Sequence, residues 1–213
     1  MKILVSAFEP FGGDTLNPAQ EVLHRLQSVY EDFTIVRLLL PTEFHASLEC
    51  MKSAINMHKP DKILAIGQAG GRSGITIERI GINIDDATIE DNAGYAPIDQ
   101  AIHPLGPAAY FSTLPIKSMV HGLQNAGIQA RISNTAGTYV CNHILYGTLD
   151  FLHETQQEVQ AGFVHIPYLP EQIEHSSHLP TMPLEEMLRS IEICLAIIAQ
   201  TDEDIALPMG ETH

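Results

Sequence analysis

Short apolar runs alternating with amphipathic helical stretches are the strongest constraint on what this chain can fold into. Lys2 to Phe8 is the first such run, and it stops at a Gly/Pro-rich turn, Glu9-Pro10-Phe11-Gly12-Gly13-Asp14. Asn17 and Pro18 suit a helix start, and Val22, Leu23, Leu26 and Val29 then recur on one helical face. Phe33 to Leu40 reads as a second strand, Thr42 to about His58 as a helix, and Lys62 to Ile66 as a buried strand ending at Gly67 to Gly74. Ile75 to Ile84 has strand character, Asp85 to Gln100 is polar and loop-like, and Ile116 to Ala126 is helical with Gly127 near its end. Ile128 to Ser133 leads as a strand into a helix bearing Cys141, and Gly162 to Ile166 is the last strand. Leu184, Met187, Leu188, Ile191, Leu195 and Ile198 form a closing helical stripe.

Strands separated by helices call for a mostly parallel, twisted sheet covered on both faces, an α/β fold of the three-layer α/β/α type. With 213 residues, 45% of them hydrophobic, the chain is expected to be a single domain over residues 1–213, with 201–213 as a mobile tail. Such folds hold ligands in loops beyond the carboxyl ends of strands. Here those loops are Glu9 to Asp14, Gly67 to Gly74, Thr135 to Cys141 and the region around His165.

Charge and cysteine usage narrow the function classes. Eleven Lys plus Arg against 26 Asp plus Glu give a formal charge of −15, which opposes nucleic acid and anionic membranes as partners. Cys50, Cys141 and Cys194 are too few and too widely spaced for a disulfide framework, so a reducing cytoplasm is expected. The apolar run at the amino terminus is too short for a signal-peptide core, and no stretch is long enough to span a bilayer.

Thr135-Ala-Gly-Thr-Tyr-Val-Cys141 reads as a strand end, a Gly turn and a helix start with a thiol just inside the helix. Amide N–H groups and the helix dipole lower a cysteine pKa at such a place, so Cys141 is the candidate nucleophile and a thiolate is expected. His165, at a strand end among the gathered loops, is the candidate base. His143 stands two residues after Cys141 in the same helix and does not face it. Glu78 interrupts the apolar stretch Ile75-Thr-Ile-Glu-Arg-Ile-Gly-Ile82, where a charge needs a reason, and it is the candidate to orient the imidazole. Cys194 beside the last helical stripe and Cys50 in the second helix are expected to serve packing.

Phe8-Glu-Pro-Phe-Gly-Gly13, Gly67-Gln-Ala-Gly-Gly-Arg72, Glu78-Arg79 followed by Asn83, Thr135 to His143, and Gly162-Phe-Val-His-Ile-Pro-Tyr-Leu-Pro-Glu-Gln172 together resemble the pyroglutamyl-peptidase I family of cysteine peptidases. The resemblance runs from about residue 2 to residue 200. It implies an exopeptidase that hydrolyses the N-terminal pyroglutamyl group from peptides through a thioester, without metal or organic cofactor, as a homotetramer. Cys141, His165 and Glu78 match the family triad, and Asp91 matches a further acidic position taken as supporting structure. Phe8, Phe11, Ile89, Tyr139 and Val140 are expected to line an apolar slot, with Gln68 and backbone groups bonding the lactam. The oxyanion is expected to meet the Cys141 N–H and a second donor from Arg72, Gly70 or Gly71.

Three positions depart from the family pattern. Ile77 replaces a usual proline before Glu78, which is then expected to be held less rigidly, Glu90 replaces another proline beside Asp91, and Tyr139 stands where phenylalanine is common. Ile77 and Glu90 motivate one rival reading, a non-catalytic binder of pyroglutamyl peptides, and the nearest rival among enzymes is a cysteine amidase acting on another small cyclic or acyl amide. A zinc hydrolase using Cys141 and His143 is a weaker rival, since no paired ligand spacing accompanies them.

Overall fold

The apolar runs become strands and the periodic stretches become helices in nearly the expected places. In the computed structural model, which describes residues 1–173 and 178–210, the elements are β1 (Lys2–Phe8), α1 (Pro18–Arg25), β2 (Thr34–Leu40), α2 (Ala46–His58), β3 (Lys62–Gln68), β4 (Ile75–Glu78), β5 (Ile80–Ile82), β6 (Ala109–Phe111), α3 (Ile116–Asn125), β7 (Ala130–Ser133), α4 (Val140–Glu154), β8 (Gln160–Ile166) and α5 (Leu184–Gln200). Six strands form the main sheet in the order β2-β1-β3-β8-β4-β7. β2, β1, β3 and β8 are parallel, whereas β4 pairs antiparallel with β8 and parallel with β7. The sheet is thus mostly parallel with one reversal.

Alternation along each strand sends side chains to two separate cores. On one face Leu64, Ile66, Val164 and Ile77 pack under α1, α3 and α5, and on the other Ile63, Ala65 and Phe163 pack under α2 and α4. Three layers result, as expected for this class. β5 leaves the main sheet at Arg79 and pairs with β6 as a two-stranded ribbon. That ribbon lies against α4 so closely that a Cβ on Gly81 would stand 2.8 Å from the Tyr146 nitrogen.

Some boundaries differ from the pattern reading. α1 starts as expected, with the Asn17 side chain accepting the Ala19 N–H at 3.0 Å, but it ends at Arg25, so Val29 lies beyond it and is exposed. α2 begins at Ala46 rather than Thr42, because His45 takes a positive φ of 58° that a right-handed helix excludes. Part of the segment expected to be a mobile tail makes contacts with the body of the fold. Asp204 accepts the Lys117 and Ser118 N–H groups at the start of α3, and the buried Lys62 ammonium binds Ile198 O, Thr201 O and Asp202. The remainder of that tail, residues 211–213, lies outside the described residues.

Candidate functional site

Two neighbouring strands bring a carboxylate and an imidazole together on the α2/α4 face. Glu78 stands opposite Phe163 across the β4–β8 ladder, with His165 the diagonal neighbour two residues on. Glu78 Oε1 and His165 Nδ1 are 2.7 Å apart, and both side chains are almost wholly buried. Arg72, reaching in from the loop after β3, donates to the same Oε1 at 2.5 Å and to Thr76 Oγ1 at 2.8 Å. Burial alone would raise the Glu78 pKa, but the His165 hydrogen bond and charge, Arg72 and Ser133 outweigh it and hold the carboxyl below its ordinary value. An ionised Glu78 only accepts, so Nδ1 carries the imidazole proton and Nε2 is left as the base.

The thiol comes to the same level of the sheet from another direction. Gly67 is the register partner of His165 in the β3–β8 pair. A Cβ built on Gly67 would stand 2.9 Å from Cys141 Sγ and 2.7 Å from the Phe163 ring, so only glycine leaves room for the sulfur there. Cys141 is the second residue of α4, whose N-cap Tyr139 caps no helix N–H with its side chain, and first-turn N–H groups have no acceptor within a helix. The electrostatics differ from the sequence expectation of a lowered pKa. Desolvation pushes the Cys141 thiol up to about 12, the Glu78 charge adds to the rise, and Arg72 only partly offsets it. The resting group is therefore a thiol.

A partly exposed apolar rim lies beside this cluster. The Phe11 and Tyr139 rings are 5.9 Å apart, and Ile89, 46% exposed, approaches Gly12. Phe8 is buried against Phe163, and Val140 is wholly enclosed by the α2/α4 core, so these two form floor rather than rim. Gln68 corrects the expected role of its side chain. Next to Gly67 on a strand, it projects to the opposite face, where its Oε1 accepts from Gln172 Nε2 at 2.9 Å.

A family model described as pyroglutamyl peptidase matches residues 1–201. The chain belongs to the pyroglutamyl peptidase family. Pyrrolidone-carboxylate peptidase 1 of Caldanaerobacter subterraneus is 48% identical over 200 residues, 94% of this chain and 98% of its own length. The pyrrolidone-carboxylate peptidase of Yersinia pestis is 46% identical over 213 residues, covering 100% and 99%. Among solved structures, pyroglutamyl peptidase I of Bacillus amyloliquefaciens superposes with a TM-score of 0.94 at 42% identity over 97% of this chain and 99% of that one. A mutant pyrrolidone carboxyl peptidase of Pyrococcus furiosus gives 0.90 at 38% identity over 94% and 99%.

The departures from the family pattern are accommodated locally. Ile77 sits in the ladder between Ile132 and Val164 with its side chain in the other core, so Glu78 is carried by a strand paired on both sides. The Tyr139 hydroxyl donates to the Glu90 carbonyl at 3.1 Å, which joins two of the three departures in one contact. Asp91 accepts the N–H groups of Ala93, Tyr95 and Phe44 at 2.9 Å each, a loop-fastening role. Arg72 Nη2 donates to Thr135 O at 2.9 Å, so its nitrogens face Glu78 and the Cys141 loop rather than an open pocket. Gly70 is packed against the Tyr168 ring, and Gly71 turns the loop with a φ of 84°.

Sequence reading missed several supporting groups. Thr76 and Ser133 flank Glu78 and share Arg72 with it; strand alternation from Glu78 marks Thr76, and nothing local marks Ser133. Asn142 clamps Ile82 and Ile84 backbone to α4, and Asp85 bonds His143, partners too far along the chain to be read from spacing. Cys50, expected in packing, is exposed instead, whereas Cys194 is fully buried as expected. His143 uses Nδ1 on Asp85 and Nε2 on the His45 N–H, so it has no nitrogen free for a metal.

Proposed function

We propose that this chain is a cysteine exopeptidase that removes the N-terminal pyroglutamyl group from peptides, with Cys141 as nucleophile, His165 as acid and base, and Glu78 as the orienting carboxylate. The observation that carries the reading is the buried Glu78–His165 pair set beside a thiol that packs against Gly67. Because Cys141 rests protonated, its proton passes to His165 Nε2 as the sulfur attacks the pyroglutamyl carbonyl. The C–N bond then breaks, His165 protonates the departing amine, and a thioester remains. Water activated by His165 attacks the thioester, releasing pyroglutamate and restoring the thiol.

Cys141 N–H at the start of α4 is the first oxyanion donor, and the commitment of Arg72 to Glu78 favours Gly70 or Gly71 N–H as the second. The apolar rim of Phe11, Ile89 and Tyr139 suits a neutral lactam with few polar groups. A charged amino terminus would be stranded without solvent or partner there, so ordinary peptides are rejected. The unpaired state of all three cysteines supports a reducing cytoplasmic setting, and the exposed Ile98, Leu105 and Phe111 leave apolar surface for a homotetramer. Among the described residues no helix is long and apolar enough to cross a membrane.

Release of a fluorescent amine from its pyroglutamyl amide tests the reading, with the prolyl amide as control. Wild type is expected to cleave only the pyroglutamyl compound and Cys141→Ala neither. Full activity in Cys141→Ala would overturn the mechanism, and bound but uncleaved substrate with wild type would favour a binder.

A further inference from the structure

A second buried histidine–carboxylate pair stands two residues from the nucleophile and has no part in the proton path above. His143 and Asp85 side chains are 1% and 3% exposed, and His143 Nδ1 lies 2.8 Å from Asp85 Oδ2. On its other side the ring accepts the His45 backbone N–H at Nε2, 3.2 Å away. A backbone amide can only donate, so Nε2 is unprotonated and the ring proton sits on Nδ1, facing Asp85.

The residue so held is strained. His45 has φ 58° and ψ −56°, and Ala46 N–H bonds Phe44 O at 2.6 Å, which together make a γ-turn of the rare positive-φ kind. Strain of this sort persists only where the surroundings over-determine it. Two successive backbone donors supply that here, with Phe44 N–H taken by Asp91 Oδ2 and His45 N–H by His143. Both acceptors come from remote chain segments, one from the loop after β5 and one from α4.

What the turn presents is Phe44. Its ring meets Tyr139 edge-on at 5.3 Å and His143 at 5.6 Å, and Tyr139 in turn stands against Phe11. The chain of contact runs from a buried imidazole, through a strained turn, to the aromatic rim beside the thiol.

We propose that His143, oriented by Asp85, is a positioning residue that sets the aromatic wall of the pyroglutamyl pocket by pinning the Phe44–His45 turn. This rests on the reading of that rim as the lactam site. His143 acts on substrate binding through Phe44 and Tyr139, and it moves no proton in the reaction.

Two amide replacements separate the halves of the ring. Glutamine reaches the Nε2 position and can accept the His45 N–H, whereas asparagine reaches only the Nδ1 position and can serve Asp85 alone. Steady-state kinetics on the fluorescent pyroglutamyl amide, in a Cys50→Ser background and normalised to the titrated Cys141 thiol, are expected to show KM raised about five- to tenfold in His143→Asn, with kcat within about twofold, the worth of roughly one net hydrogen bond. His143→Gln is expected to recover most of that KM. Phe44→Leu should raise KM in wild type but add little in His143→Asn, since both act through one wall. An unchanged KM in His143→Asn, with loss only in the fraction of titratable thiol, would overturn the proposal, as would equal effects of the two amides. Nitrogen-15 NMR of the wild-type ring gives a readout independent of turnover. A proton on Nδ1 supports the clamp and one on Nε2 overturns it, even if the pyroglutamyl amide is not cleaved and the functional reading fails.

Discussion

The two faces of the sheet are built to different specifications. Under α1, α3 and α5 the core is mainly apolar, with Ile75, Ile77, Leu195 and Ile198 among side chains that are 0–1% exposed and Lys62, Gln68 and Ser190 as its buried polar members. Under α2 and α4 equally buried positions carry Thr76, Glu78, Ser133, Asn142, His143 and His165. Apolar burial is non-directional and tolerates repacking, while buried polar groups need partners in fixed geometry. One face therefore supplies stability and the other spends part of it on positioning, and a single strand such as β4 serves both by alternating Ile77 with Glu78.

The largest effect expected concerns the thiol on the polar face. With Cys141 pushed up to about 12, its thiolate fraction grows with pH, and inactivation by iodoacetamide should accelerate about tenfold per unit between pH 6 and 9. A rate that levels off near neutrality would show a resting thiolate and overturn the raised pKa. Next in size, Glu78→Gln should lower kcat by roughly 10²–10³-fold, since an amide can hold the imidazole in the wrong tautomer. The same substitution tests a pH effect on stability. A carboxyl held below its usual 4.5 stabilises the fold above that pH and loses the contribution as pH falls through the lower folded value. Denaturant melts of wild type and Glu78→Gln from pH 7 to 3 should converge on the acid side.

On the apolar face, Leu195→Ala should cost about 2–5 kcal/mol in denaturant unfolding while kcat per folded molecule is kept. A fall in kcat matching that of Glu78→Gln would dissolve the distinction between the faces. The smallest effects separate the two other cysteines. Cys194→Ser puts a hydroxyl into a fully apolar site and should cost about 1–3 kcal/mol, whereas exposed Cys50→Ser should stay within about 0.5 kcal/mol, both with normal turnover.

The apolar face was legible in sequence because its signal is periodic. The stripe through Leu184, Met187, Ile191, Leu195 and Ile198 is α5, and the runs at Lys2, Thr34 and Lys62 are β1, β2 and β3. The reversal of β4 and β7 was not legible, since pairing partners lie far apart in sequence and no local pattern sets their direction. β6 escaped notice because three residues, Ala109–Phe111, are too few to show a period. On the polar face, Glu78 announced itself as a charge in an apolar strand, and His165 as an imidazole at a strand end. Their environment did not. Desolvation of the Cys141 thiol and the partners of His143 depend on chain segments dozens of residues away, and Arg72, only six residues from Glu78, reaches it by way of a loop whose course no local pattern sets. Gln68 was readable in principle, because its alternation with Gly67 assigns it to the opposite face.

The C-terminal clasp on Lys62 bears on where the polypeptide can be cut. The matched family region stops at residue 201, yet one of the three acceptors that surround the Lys62 ammonium, the Asp202 carboxylate, lies just beyond it. A chain trimmed to the matched region would keep every reacting group but remove the carboxylate from a cation that is 5% exposed on a central strand. Proteases would then find a loosened end beside β3, and the shortest homologous fragment would make a poorer reagent than the full chain.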